Sequence, residues 1–282
     1  MSASPNLVDS PPSKGIVVSF LNSVQISVGG DPDLAENETD LQQNEYVCSF
    51  RFANLRRDGF LSLIAGIGET GRSSCSEVYI VDKNSSGFEI YYTAGATDAG
   101  SNVAGSIKDL RQDGHLELLV DSGLGSIANR CNANWTAIFA WTGSDYANVS
   151  EQFKFFYQKK IESLEKRISA LQPIRGAAGV LSEPLDKECL QAEAGRIQSF
   201  LGLPSEAAED QAIRLSSSKD SKQREFAAEI LGIIGTPRAR IYLKTLSKDS
   251  DAEVTYTAKA TLSALSKGPI PDAPRSFQRL QH

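Results

Sequence analysis

Two stretches of this chain are near copies of one another. "ANLRRDGFLSLIAGIGETG" begins at residue 53 and "KDLRQDGHLELLVDSGLGS" begins at residue 108. Shifted by 55 positions, Leu55, Arg56, Asp58, Gly59 and Leu61 fall on Leu110, Arg111, Asp113, Gly114 and Leu116. A repeated unit has to fold the same way twice and pack against its copy, so it limits the available folds more than composition does. Each copy reads as strand, acidic-glycine turn, strand, loop, strand. "YVCSFRFANL" and "FLSLIAGIG" flank the first turn and "LELLV" follows the second, while "EVYIV" (77–81) corresponds to "TAIFAW" (136–141). Their β-branched, aromatic and leucine content, set between turn residues, predicts antiparallel β structure. "GIVVSF" and "VQISV" are further strand candidates within 15–50, and "GGDPDLAENETDLQQNE" (29–45) reads as a solvated acidic loop.

The same comparison disposes of a tempting motif. Gly66, Gly68 and Gly71 fit G-x-G-x-x-G, the dinucleotide-binding turn. That turn needs an entering strand and a leaving helix whose N-terminus holds the pyrophosphate. Only "RSSCS" separates Gly71 from the strand "EVYIV", and a parallel crossover needs a dozen or more residues. The second copy has Asp121, Gly123 and Ser126 at these places. The two strands are therefore expected to be antiparallel neighbours, with the glycines in a hairpin loop and no NAD or ATP bound there.

The turn pattern D-x-x-x-D-G-x-x-E, Asp109 to Glu117, resembles the FG-GAP or VCBS-type repeat of integrin-like β-propellers and exported bacterial proteins. That resemblance covers roughly residues 45–150 and implies oxygen ligands around calcium, here Asp109, Asp113 and Glu117. The third ligand position is Arg56 in one copy and Arg111 in the other, and the first copy has Asn54 and Ser62 where stronger ligands would help. Arginine has no acceptor and stays charged, so it cannot coordinate a cation. The preferred reading is a metal-free turn in which the guanidinium bridges the turn carboxylates; calcium is the alternative. Two units cannot close a propeller of the usual 4–8 blades, so an open or partial sheet assembly is expected.

Eight aromatics crowd the next stretch: Trp135, Phe139, Trp141, Tyr146, Phe153, Phe155, Phe156 and Tyr157. They read as a core where sheet meets helix. A sugar-stacking platform formed by Trp135, Trp141 and Tyr146 is the rival. "SEQFKFFYQKKIESLEKRISALQP" (150–173) reads as a long helix with Ser150 as N-cap and Pro173 past its end. Its seam of Ile161, Leu164, Ile168 and Leu171 is expected to pack within the chain, since it spans barely two heptads of a coiled coil.

"IRGAAGVLSEPLD" (174–186) is a linker by composition, and "CLQAEAGRIQSFLG" (189–202) reads as a capping helix. Beyond it, aligning Asp220 with Asp251 brings Ala227 onto Ala258 and Leu231 onto Leu262, a period of 31. Thr236 followed by Pro237 is an N-cap with proline at the first helical position. "REFAAEILGIIGTPRARIYLKTLSKDSDAEV" resembles HEAT repeats of the short, phycobilisome-lyase-like type over roughly 205–267. The resemblance implies a protein-binding surface; no bilin-binding or catalytic residue is identifiable, so the lyase activity does not carry over. Two repeats bury little area alone, so this half is expected to lean on the long helix or the β half.

The expected fold class is thus α+β. A disordered leader (1–14) precedes a β domain (15–149), the long helix (150–172), a linker (173–185), a HEAT-like domain (186–267) and a tail (268–282). A net charge of −6 and a pI near 5.1 argue against a general nucleic-acid backbone binder. No apolar run is long enough to span a bilayer, and the first residues lack a signal peptide's basic and apolar regions. Of the two histidines, His282 ends the sequence and His115 sits in the second turn. Asp113, Glu117 and Asp121 are the carboxylates a glycosidase would need, but acidic residues beside a turn are common. No histidine pair, nucleophile elbow or Cys/His metal spacing appears.

The four cysteines, Cys48, Cys75, Cys131 and Cys189, allow three complete pairings. A Cys131–Cys189 bridge tying the β half to the helical half is expected on architectural grounds, with four reduced thiols as the alternative. The functional expectation is a non-catalytic protein-binding or scaffolding protein, exported or of a bacterial cell envelope, without cofactor. The alternative is a carbohydrate-binding module or degenerate glycan-processing enzyme.

Overall fold

The computed structural model describes residues 16–20, 24–28, 38–39, 45–69, 75–84, 87–94, 103–124, 131, 133–171, 183–266 and 277–279. The leader and most of the acidic loop, linker and tail lie outside them. The architecture is α+β, with antiparallel sheets followed by six helices. The strands β1 (Ile16–Phe20), β2 (Val24–Val28) and β3 (Glu38–Thr39) form a small antiparallel sheet. Each copy of the repeat then builds one sheet. The first holds β4 (Glu45–Ala53), β5 (Ser62–Glu69), β6 (Cys75–Asn84) and β7 (Gly87–Ala94). After the short helix α1 (Val103–Ser106), the second holds β8 (Ile107–Lys108), β9 (Glu117–Gly123), β10 (Asn134–Trp141) and β11 (Tyr146–Asn148).

The two units repeat in conformation as well as in residue type. Arg57 and Gln112 take φ of 60° and 58°, and Gly59 and Gly114 take 86° and 80°. The side chain of Asp58 accepts from the Phe60 N–H (3.0 Å), and Asp113 accepts from the His115 N–H (2.9 Å). A glycine at each second positive-φ position spares the chain a Cβ clash. The β5–β6 pairing is antiparallel, with Leu63 opposite Val81, and Gly66 and Gly68 lie inside β5 itself rather than in a loop. A glycine in a strand adds no side chain to its pleat, and among the described residues β5 is followed by strand β6 rather than by a helix that could hold a pyrophosphate. Gly71 is outside the described residues.

A 3-10 turn at Ser150–Phe153 leads into α2 (Lys154–Ala170). Ser150 does not cap this helix; its hydroxyl accepts the Ile138 N–H from β10 (3.0 Å), and Val149 and Phe153 occupy the cap positions. The seam residues Ile161 and Leu164 are buried where α2 packs on α3 (Glu183–Leu201), which starts earlier than expected, inside the segment read as linker.

The helices α4 (Glu206–Ser216), α5 (Ser221–Ile234), α6 (Pro237–Leu246) and α7 (Ala252–Ser266) form two successive hairpins at the period of 31 read from Asp220 and Asp251. Asp220 accepts from the Lys222 N–H (3.0 Å) and Asp251 from the Glu253 N–H (3.0 Å), so both α5 and α7 begin on the same carboxylate cap. Thr236 caps α6 through the Ala239 N–H (3.0 Å), with Pro237 at the first helical position. Ala227 and Ala258 are fully buried, and a Cβ built on Gly232 would lie 2.2 Å from the Thr261 methyl, so small residues set the close α5–α7 approach.

One continuous core runs from the sheets into the helices. Trp135 of β10 stacks on Tyr157 of α2 (4.9 Å, 17°) and meets Phe200 of α3 edge-on (5.0 Å). Cys131 and Cys189 form a disulfide, Cα–Cα 5.3 Å, across the same junction. Cys48 is also disulfide-bonded, and among the described residues no cysteine is free. Near the C-terminus the chain returns to the sheets. The strand β12 (Gln278–Arg279) pairs with β7, and buried Phe277 packs on Phe139 and Tyr146.

Candidate functional site

The carboxylates of the second turn are engaged with the backbone. Asp109 accepts the N–H groups of Asp113 (3.1 Å) and Gly114 (2.8 Å), and Glu117 accepts that of Leu110 (2.9 Å). Burial pushes the Glu117 carboxyl above its ordinary value, although the Leu110 N–H works in the other direction. Asp121 accepts the Thr136 hydroxyl from the neighbouring strand. The three carboxylates considered for glycan chemistry, Asp113, Glu117 and Asp121, are thus each committed to a structural hydrogen bond. Among the described residues no group of three or more His, Cys, Asp or Glu side chains is placed to hold a metal. His115 is exposed and lies 2.5 Å from an Arg57 nitrogen.

The expectation that Arg56 and Arg111 bridge their own turn carboxylates is overturned. Each arginine instead reaches the next unit of the chain and lies over an aromatic ring there. Arg111 stacks on Phe153 (4.5 Å) and donates to Gln152 (3.1 Å). Arg56 stacks on Trp141 of the second sheet (4.0 Å) and pairs with Asp82 and Glu89 of the first, both at 2.6 Å. The turn backbone already satisfies the nearby carboxylates, so the guanidinium gains more from an aromatic face and from the Asp82 and Glu89 carboxylates of the sheet.

Around Arg56 the sheets share a buried polar cluster. The Tyr146 hydroxyl donates to Asp82 (2.9 Å) and the Tyr91 hydroxyl to Glu89 (3.0 Å), while Arg279 of β12 pairs with Glu89 (2.5 Å). Burial beside the Asp82 charge pushes the Tyr146 phenol up, which keeps its proton available for donation. Burial also pushes the Asp82 carboxyl above the usual carboxylate range, against Ser62, Arg56 and Tyr146, which all lower it. Two guanidinium groups and two carboxylates balance within this cluster, which locks sheet to sheet.

The aromatic trio does not make a platform. Trp135 and Tyr146 are about 1% exposed, and the partly buried Trp141 is covered by Arg56. Sugar stacking requires an open ring face, and none of the three offers one.

An exposed apolar surface does occur elsewhere, where sequence reading assigned no function. Phe50, Phe52, Phe60 and Leu61 are 40%, 39%, 51% and 55% exposed. Phe50 and Phe52 alternate on one face of β4 and meet edge-on at 6.4 Å; Phe60 and Leu61 follow in the turn to β5. The same sheet face continues into Leu63, Val81 and Ile90, which form a second buried cluster away from the main core. Arg57 and Asp58 are exposed in the adjoining turn, and the Lys83 ammonium lies 6.0 Å from the Phe60 ring centre. The alternation "FRF" before the turn was the available sequence signal. Alternation marks a face without telling whether that face is covered.

No protein family, curated protein or solved structure matches this chain in the comparisons made. Among the described residues, no helix is long and apolar enough to cross a membrane.

Proposed function

We propose that this chain is a non-catalytic protein-binding or scaffolding protein of an exported or cell-envelope compartment. The observation that carries the reading is the cluster of Phe50, Phe52, Phe60 and Leu61, half of the eight large hydrophobic side chains that are well exposed among the described residues. Contiguous exposed apolar side chains with a charged rim mark protein interfaces more than random surface. The Lys83 ammonium and the exposed Arg57 supply positive charge beside it. The partner is therefore a protein surface with an apolar centre and surrounding carboxylates. The disulfide fits maturation in an oxidising compartment. The FG-GAP-like and HEAT-like resemblances rest on the residues and their repeat spacing, and the HEAT-like one implies a protein-binding surface.

A photo-crosslinking residue at Phe52 or Phe60, introduced in the native source, should capture the same partner protein. The same residue at Ile241 or Tyr256, exposed on the helical half, should not. Leu61→Asp should reduce the yield at Phe60 at least tenfold. Equal capture at all four sites, or none at Phe52 and Phe60, would reject the reading.

Metal independence is part of the same proposal, because Asp109 and Glu117 are held by backbone N–H groups. Excess EDTA should leave the thermal midpoint within about 1 °C of its value in calcium. A change of 1 kcal/mol moves the midpoint of a domain this large by about 2–4 °C, so a required ion would be seen. A drop of several degrees in EDTA that calcium restores would assign the second turn to a cation.

A further inference from the structure

A cleft of about 690 Å³ opens between the second sheet and the helical half, lined by Trp135, Ser150, Arg196, Ser199, the start of α6 and Arg240. We propose that this cleft binds an oxyanion, the carboxylate or phosphate group of a small ligand.

Two buried donors there are unused. Arg196 is 6% exposed and Trp135 about 1%. The Nη2 of Arg196 and the indole Nε1 of Trp135 have no hydrogen-bond partner. Both groups donate and neither accepts, so what completes them must carry acceptor oxygens. A buried donor left unmade is destabilising, and more so where it is charged.

The charge points the same way. Arg196 donates its Nη1 to the Ile234 carbonyl at the end of α5 (3.1 Å), and among the described residues no carboxylate forms an ion pair with it. Burial, reinforced by the positive charge of Arg240, pulls the Arg196 guanidinium down to about 10. Two cations facing one cleft are relieved by an anion between them. Glu151 lies exposed on the lining, the one carboxylate there among the described residues. The N-terminus of α6 adds its dipole to the same wall.

The fold makes room for this arrangement. Cys189, Arg196 and Phe200 lie on one face of α3, at helical spacing, and the disulfide anchors that face against the second sheet. Gly235 (φ 67°) ends α5 beside the guanidinium, and any Cβ there would stand 2.2 Å from Nη1.

The chain has two tryptophans, so its two indole N–H signals in a ¹⁵N-correlated NMR spectrum are assigned by one Trp141→Phe variant. Inorganic phosphate and succinate are titrated separately, at ionic strength held constant with sodium chloride. At least one should shift the Trp135 signal saturably, with the Trp141 signal much less affected. Arg196→Gln should weaken the effect at least tenfold. Because Arg196 also holds the end of α5, a second variant, Ser199→Glu, places a carboxylate at an exposed lining position without touching the core; it should weaken binding severalfold. Saturation by phosphate alone names a phosphate ligand, and by succinate alone a carboxylate ligand. No saturable shift from either, or an unchanged response in a folded Ser199→Glu protein, overturns the proposal. Neither result bears on the apolar patch of the first sheet.

Discussion

Replacing Cys131 and Cys189 together by alanine should lower the unfolding free energy by about 4 kcal/mol. The bridge closes a sequence separation of 58 residues, and the chain-entropy estimate for a loop of that size is roughly 4 kcal/mol. Packing opposes a complete separation of the halves. Trp135, Tyr157 and Phe200 still stack across the junction, and Lys160 still pairs with Glu193 (3.1 Å). The folded state should therefore persist, with its loss of stability arising mainly from a freer unfolded chain. Urea titration of the variant and the parent, both without reductant, measures the difference. Reductant is unsuitable because Cys48 is also disulfide-bonded. A loss under about 1 kcal/mol would mean that the bridge adds little beyond the contacts around it.

The second large effect is expected at Arg56. Its side chain is 11% exposed and Asp82's is 1%, with 2.6 Å between Nε and Oδ2. Arg56→Gln strands the Asp82 carboxylate in the core, a change that typically costs about 3–5 kcal/mol at neutral pH. The pH dependence has a definite sign. Burial already raises the Asp82 carboxyl in the parent, with Arg56 pulling it down. Without Arg56 it rises further above its unfolded value of about 4, so the native state binds more protons than the unfolded chain. Stability of Arg56→Gln should then increase relative to the parent as pH falls from 7 towards the unfolded value. Converting Asp82 to Asn in the same chain should recover much of the loss and remove that pH dependence. A parallel pH profile for the parent and Arg56→Gln would show that Asp82 does not carry the penalty.

These two expectations differ in how far the chain alone foretold them. The disulfide followed from an architectural need, because a two-hairpin helical unit buries little by itself. The Arg56 cluster did not. The repeat identified Arg56 and Arg111 as equivalent, yet the turn carboxylates were the wrong partners. Asp82 and Glu89 lie 26 and 33 residues beyond Arg56, and nothing near the turn encodes that meeting. Ser150 taught the same lesson on a shorter scale. It suits an N-cap by residue type, but the neighbouring strand's Ile138 N–H claimed its hydroxyl. The exposed Phe50 and Phe52 and the unused donors of Trp135 and Arg196 were equally invisible. Exposure and missing partners belong to the packed molecule.

What the sequence determined by itself is what short-range physics decides. The two acidic-glycine turns recur because a positive-φ glycine and an aspartate bonding two residues ahead are local requirements. The caps at Asp220, Thr236 and Asp251 recur because each satisfies an N–H two or three residues away. The α+β class follows from where strand-forming repeats give way to helical period. Tertiary structure alone decided which charges pair, which aromatics are buried, and where Phe277 and β12 return to the sheets. Those outcomes depend on groups far apart in the chain, whose meeting is set by how the sheets and helices pack. Residue type makes an arginine able to stack or to pair; only the packed neighbours choose between its turn's carboxylates and Trp141.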